Sequence, residues 1–299
     1  MSHFGRTCLA ALVLALGLTA TDAPASAGTL DPVIHILPPV PVPYHPSREP
    51  LCADGNPSCI DVTINEMQSG YDALVSTCDH DAVFALAYLR VTENVRDALD
   101  HGFFRDPVWL RNQDAAFAQD YFETYDNWHA GRTNLVPQAW RIALQAADDG
   151  SVTALGNFML AMNAHINRDF SYVLWGAGLT AKDGKSHKPD HNAYNTRLDS
   201  LYKPVFAEEA QQLDPTFDDL NAGQLDDESV GAVMRGWREI VWRNAEALEL
   251  AKTPLALSLA KSRIETYAAT QATLYRTMFA SSPKQTAKRD AYCRAQHPA

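Results

Sequence analysis

An imidazole and a carboxylate stand four residues apart at His165 and Asp169, inside the run Asn163-Ala164-His165-Ile166-Asn167-Arg168-Asp169. On a helix that spacing puts both groups on one face, a turn apart. Phe158 and Met162 continue the face upstream, and Leu155 to Ile166 is apolar nearly all the way round. A helix without a wet side belongs at the centre of a bundle, so both groups are expected to point inward. Hiding an ionised carboxylate and an imidazole from water is expensive unless partners compensate them. One compensation is a divalent cation, zinc first among them, chelated by His and Asp from a single helix. The other is a hydrogen-bonded structural network in which Asp169 accepts from His165, Arg168 or neighbouring helix groups.

Two further clusters carry ionisable groups. In Ser186-His187-Lys188-Pro189-Asp190-His191-Asn192 the proline forbids a continuous helix, so Asp190 is expected to cap a new helix through Asn195 and Leu198, leaving His187 free to swing. His187 or His191 then adds a ligand or an acid–base group, against the plain reading of a solvated loop. In Asp79-His80-Asp81 the acids are favoured at a helix start by the dipole alone, and Asp81 is a further possible ligand. His35, His45, His101, His129 and His297 read as surface or turn residues with no constellation around them. There is no Gly-x-Ser-x-Gly, His-Glu-x-x-His or Gly-x-Gly-x-x-Gly, and Gly178 to Ser186 has the wrong glycine spacing for a phosphate loop.

The elements that must position these groups are helical. Ile60, Ile64, Met67, Tyr71, Leu74 and Cys78 mark one amphipathic stripe. A second helix starts near Asp81 with Phe84, Ala87, Tyr88, Val91 and Val95, and Asp106-Pro107 opens a third. Pro137 opens a fourth, and Ser151 is expected to cap the fifth, which carries His165. Two long helices, about 228–251 and 254–279, are expected to close the chain. No stretch alternates long enough to be a strand. The expected fold is all-α, one helical bundle of six or more helices over 60–299, behind a Pro-rich extended leader at 28–59.

The octad at 163–170 resembles the signature of a bacterial helical family known as domain of unknown function 5995, whose members carry Gly-Met-Asn-Ala-His-Ile-Asn-Arg-Asp-Leu. Here Ala161 stands for the glycine and Phe170 for the leucine, both packing changes. Asp81 with Phe84, Tyr88-Leu89 and Val91-Thr92 is similar to the family in the same order, as are Phe117-Ala118 with Tyr121-Phe122, and Pro137-Ala139-Trp140-Arg141. So is His187 with Asp190, Asn195 and Leu198. The resemblance covers roughly 60–280 and implies the helical fold and the placement of the site, but no reaction. A looser likeness is to zinc phospholipase C and single-strand nuclease folds, which implies metal-assisted phosphoester chemistry.

Compartment and charge narrow the partners. Arg6, the apolar run from Cys8 to Leu18 and Ala25-Ser26-Ala27 read as a signal peptide over residues 1–27, so the chain is expected to be exported after cleavage near Ala27. That run is about half of what a spanning helix needs, and no stable membrane insertion is expected. The remaining Cys52, Cys59, Cys78 and Cys293 are expected to pair as Cys52–Cys59 and Cys78–Cys293. The 299 residues carry 36 acidic against 25 basic side chains, a net charge of −11 that excludes a nucleic-acid binder. The functional expectation is an exported divalent-metal-dependent hydrolase of a small-molecule or phosphoester substrate. In it His165, Asp169, His187 and Asp81 hold the metal, and Asn163 or Asn167 orients substrate beside them. The alternative is a non-enzymatic envelope or binding protein, the same residues tying its core together.

Overall fold

Helix α1 (Ser58–Thr77) buries the stripe Ile60, Ile64, Met67, Tyr71 and Leu74, and ends where Cys78 turns left-handed (φ 55°) and returns its N–H to the carbonyls of Leu74 and Val75. Helix α2 (Ala82–Asp100) folds back on α1 and is buried continuously from Ala82 to Leu89. Helix α3 (Pro107–His129) opens as expected, with the Asp106 carboxylate accepting from the Trp109 N–H at 3.0 Å and Pro107 in the first turn. Helix α4 (Gln138–Asp148) follows. The computed structural model, from which these elements are read, describes residues 37–48, 52, 56–217 and 227–298. The signal-like segment at 1–27 lies outside them.

The central rod of the molecule has three parts: α5 (Ala154–Asn163), a π-helical segment (Ala164–Phe170) and α6 (Ser171–Ala177). Thr153, not Ser151, caps α5, its hydroxyl accepting from the Gly156 N–H at 3.1 Å. Gly156 has to be glycine: a Cβ there would fall 2.7 Å from that of Phe279 and 2.8 Å from that of Val152. The rod ends at Gly178, whose positive φ (89°) releases the chain into the loop before α7. That helix, α7 (Lys188–Gln212), α8 (Asp227–Leu250) and α9 (Pro254–Met278) pack round the rod with α2, α3 and α4. The side chains of Phe158, Leu160, Ala164, Phe170 and Leu174 are buried on successive turns of the rod, within one contiguous apolar cluster.

The expectation of two closing helices falls one short. A further helix, α10 (Pro283–Gln296), follows, opened by a reciprocal Ser282–Gln285 capping box. It turns only Arg289 and Cys293 inward, too few apolar positions to announce itself in the sequence. Cys293 is bonded to Cys78, with Cα atoms 5.9 Å apart, and Cys52 to Cys59. Of the leader, residues 37–48 run extended over α6 and α8, where Val40 N–H donates to Glu246, Arg48 N–H to Gly176 O, and the Thr180 hydroxyl to Val42 O. Among the described residues there is no strand, only two isolated bridges, and no helix is long and apolar enough to cross a membrane.

Candidate functional site

The signature residues form the π segment itself. Such a widened turn inside an α-helix is rare and concentrates at functional sites. His165 and Asp169 remain neighbours across it, and both are buried, at 1% and 0% exposure. Asp169 accepts three hydrogen bonds: from Arg168 Nη1 on Oδ1 at 2.6 Å, and on Oδ2 from Trp140 Nε1 at 2.6 Å and His165 Nδ1 at 3.1 Å. Burial alone would raise its pKa, but His165 and Arg168 outweigh burial and hold the carboxyl below the ordinary carboxylate range. An ionised carboxylate only accepts, so the hydrogen of His165 is on Nδ1.

For His165 the balance runs the other way. Burial lowers its pKa more than Asp169 raises it, so the ring is neutral with its lone pair on Nε2. Nε2 has no hydrogen-bond partner, which is unusual for a buried polar atom. The ring is fixed in place by aromatics, stacked on Phe117 at 3.5 Å and met edge-on by Tyr88 at 4.6 Å and Phe84 at 5.5 Å. This is an orienting carboxylate, an oriented imidazole and one uncommitted nitrogen.

His165 also walls a cavity of about 80 Å³ lined by α2, α3, the rod, α7 and α8. Its lining is chiefly apolar, with a few polar side chains: Tyr88, Asp114, His191, Tyr194 and Arg238 among them. A mostly apolar lining with a few polar groups is the chemistry usual in small-molecule sites. The Tyr88 hydroxyl and Asp114 Oδ2 are, like His165 Nε2, buried without partners. Burial pushes the Asp114 carboxyl up to about 7. Sequence reasoning missed Asp114 and Arg238. The signal was there: each interrupts an apolar helical stripe, Leu110–Asp114–Phe117 on α3 and Met234–Arg238–Val241 on α8.

The other expected ligands lie elsewhere. His187 is the buried N-cap residue of α7; its ring stacks on Trp109 at 4.3 Å, and Asp106 lies 3.9 Å from its Nδ1. Asp190 is not the cap either. It occupies the first turn of α7 and accepts from the Arg105 and Asp106 N–H groups at 3.1 and 2.9 Å, pinning the loop before α3. Asp81 is the N-cap residue of α2 and faces His129 at 3.7 Å, so His129, expected at the surface with no constellation around it, has an acidic partner. Burial pushes the Asp81 carboxyl up to about 6.

Asn163 is committed to structure, its amide donating to the Ala268 carbonyl and its oxygen accepting from Asn167, each at 2.9 Å. The four-residue shell of His165, Asp169, His187 and Asp81 is therefore not assembled. The oxygens of Asp169 are engaged by Trp140, Arg168 and His165, and among the described residues no three His, Cys, Asp or Glu side chains form a metal cage.

A comparison with the curated proteins finds no match, and one with the solved structures finds none. A family model does match, over residues 60–278, from the start of the α1 stripe to the end of α9, with the whole rod and cavity inside it. The chain belongs to the family of unknown function DUF5995.

Proposed function

We propose that the protein is an exported hydrolase in which His165 is the general base and Asp169 its orienting partner. The observation that carries the proposal is the uncommitted Nε2 of a neutral His165 whose other nitrogen is bound to an ionised carboxylate, on the wall of a mostly apolar cavity. A purely structural network would satisfy both ring nitrogens. In the reaction Nε2 takes a proton from water as its oxygen attacks an ester carbon or phosphorus, then returns the proton to the departing alkoxide. Asp169 stabilises the transient imidazolium. The metal-bound version has less support because the side chains that would complete the shell are distributed over separate parts of the fold. Export is supported by the signal-like N-terminus and by the two disulfides.

The test is hydrolysis of a panel of 4-nitrophenyl esters, covering acetate, hexanoate, the phosphate monoester and the phosphodiester. Turnover of at least one is expected, falling roughly 100- to 10,000-fold in His165→Gln with the helical circular dichroism unchanged. Equal rates in the variant, or no turnover across the panel, would overturn the proposal. Ligand binding in the cavity without turnover would leave the binding-protein reading.

A further inference from the structure

Arg238 is a buried cation that no carboxylate among the described residues neutralises. It is 8% exposed on α8, with Nε donating to Asn195 Oδ1 at 2.7 Å and Nη2 to the His191 carbonyl at 2.5 Å. Its guanidinium lies over the rings of Phe170 at 5.5 Å and Tyr194 at 5.8 Å. All these partners are neutral, and among the described residues no carboxylate pairs with it. Arg235, three residues earlier on the same helix, contrasts with it by meeting Asp199 at 2.5 Å. Burial lowers the pKa of Arg238 only to about 10, so the charge persists at neutral pH. A buried charge among neutral partners is left uncompensated, and a guanidinium is shaped to receive a carboxylate in two parallel hydrogen bonds.

Arg238 walls the same cavity as His165. An aromatic strip joins the two: His165 stacks on Phe117 at 3.5 Å, Phe117 on Phe170 at 4.6 Å, and Phe170 carries the guanidinium. We propose that the cavity receives a small aliphatic monocarboxylate, its carboxylate on Arg238 and its apolar body along Phe170 and Phe117 towards His165. This deepens the hydrolase reading and rests on it only for the bond that His165 attacks, which lies at the end of the substrate remote from the carboxylate. At about 30 Å³ per water the cavity's 80 Å³ holds two or three waters, the room of a short acid of about three carbons. The two acids in its lining do not oppose this. Asp190 is occupied by two backbone N–H groups, and Asp114, with its carboxyl near 7, is mostly neutral in mildly acidic solution.

The experiment is calorimetric titration of the full chain with propanoate and with propan-1-ol at about pH 6, where the acid is ionised and Asp114 is mostly not. Propanoate is expected to bind at least about tenfold more tightly than the alcohol. Arg238→Gln should abolish that preference while propanol still binds, and Arg238→Lys should keep part of it. Equal affinities in the wild type, no propanoate binding, or a folded Arg238→Gln protein that keeps the preference would each overturn the proposal. If Arg238→Gln does not fold, the wild-type comparison decides alone. His165→Gln separates the two readings. Propanoate binding without ester turnover in the wild type refutes the catalytic reading only, whereas His165-dependent turnover without carboxylate preference refutes this one only.

Discussion

Replacing Asp114 by asparagine tests the cavity's electrostatics most directly. The carboxyl is 4% exposed, its Oδ2 has no partner, and burial alone pushes its pKa from 3.8 up to about 7. At 1.36 kcal/mol per pKa unit, that rise corresponds to roughly 4 kcal/mol. The sign follows from linkage. The folded protein holds this proton more tightly than the unfolded chain, so the contribution is complete below the unfolded value and lost as the pH rises through the folded one. Asparagine keeps the shape and removes the ionisation. The variant's unfolding free energy relative to wild type should therefore climb by roughly 4 kcal/mol between about pH 4 and about pH 8. An unpaired amide in the same place costs about 1–3 kcal/mol at every pH, which moves the level of the curve but not its slope. Urea denaturation of both proteins at unit pH intervals reads the difference directly, and other titrating groups cancel in it. Parallel curves would refute the reasoning and mean that Asp114 is solvated or paired in solution.

The remaining expectations concern the dyad and the staples. Asp169→Asn strips Arg168, Trp140 and His165 of a shared ionised acceptor and should cost about 3–5 kcal/mol, seen as a fall of roughly 10 °C in Tm by calorimetry; an unchanged Tm contradicts the network. Trp140→Phe keeps the aromatic packing but loses one N–H to a carboxylate, about 1.5–3 kcal/mol by urea denaturation. Because burial holds His165 and His191 below the ordinary histidine range, the unfolded chain takes up protons first as the pH drops below about 6.5. Stability should decline there, and His165→Gln should make the decline shallower. Opening the Cys78–Cys293 bond in a Cys78→Ser, Cys293→Ser protein releases a link across 215 residues and should cost about 5 kcal/mol in the chain-entropy account, read by urea denaturation.

Much of this fold is written in short-range signals. The α1 stripe, the Asp106-Pro107 opening and the all-round apolar rod each follow from periodicity or capping chemistry, and the burial of His165 and Asp169 follows from the last. The cysteine pairing was legible because one pair closes a short turn-rich loop and leaves the other by elimination. What escaped depends on approach between distant segments. Helix α10 has little apolar face, being held by Cys293 and by Arg289 donating to Asn157 at 2.7 Å, a contact 132 positions away. Asp190 reads locally as a cap, yet its oxygens go to the start of α3. Asp81 finds His129 only because α2 and α3 lie side by side. The widened turn at 164–170 has no residue-type signature, since Ala-His-Ile-Asn-Arg-Asp-Phe suits an ordinary helix.

That turn also sets the angular phase of everything beyond it. A π turn holds about one residue more than an α turn, and each α-helical residue advances the chain by about 100° round the axis, so tightening the segment to a regular spiral without losing a residue would swing the downstream half by about that amount. Val173 and Leu174, now in the interior, would then face other neighbours, while the imidazole upstream kept its bearing. A substitution that drives 164–170 into regular α geometry should consequently do harm out of proportion to its size, because it misaligns two correctly made halves.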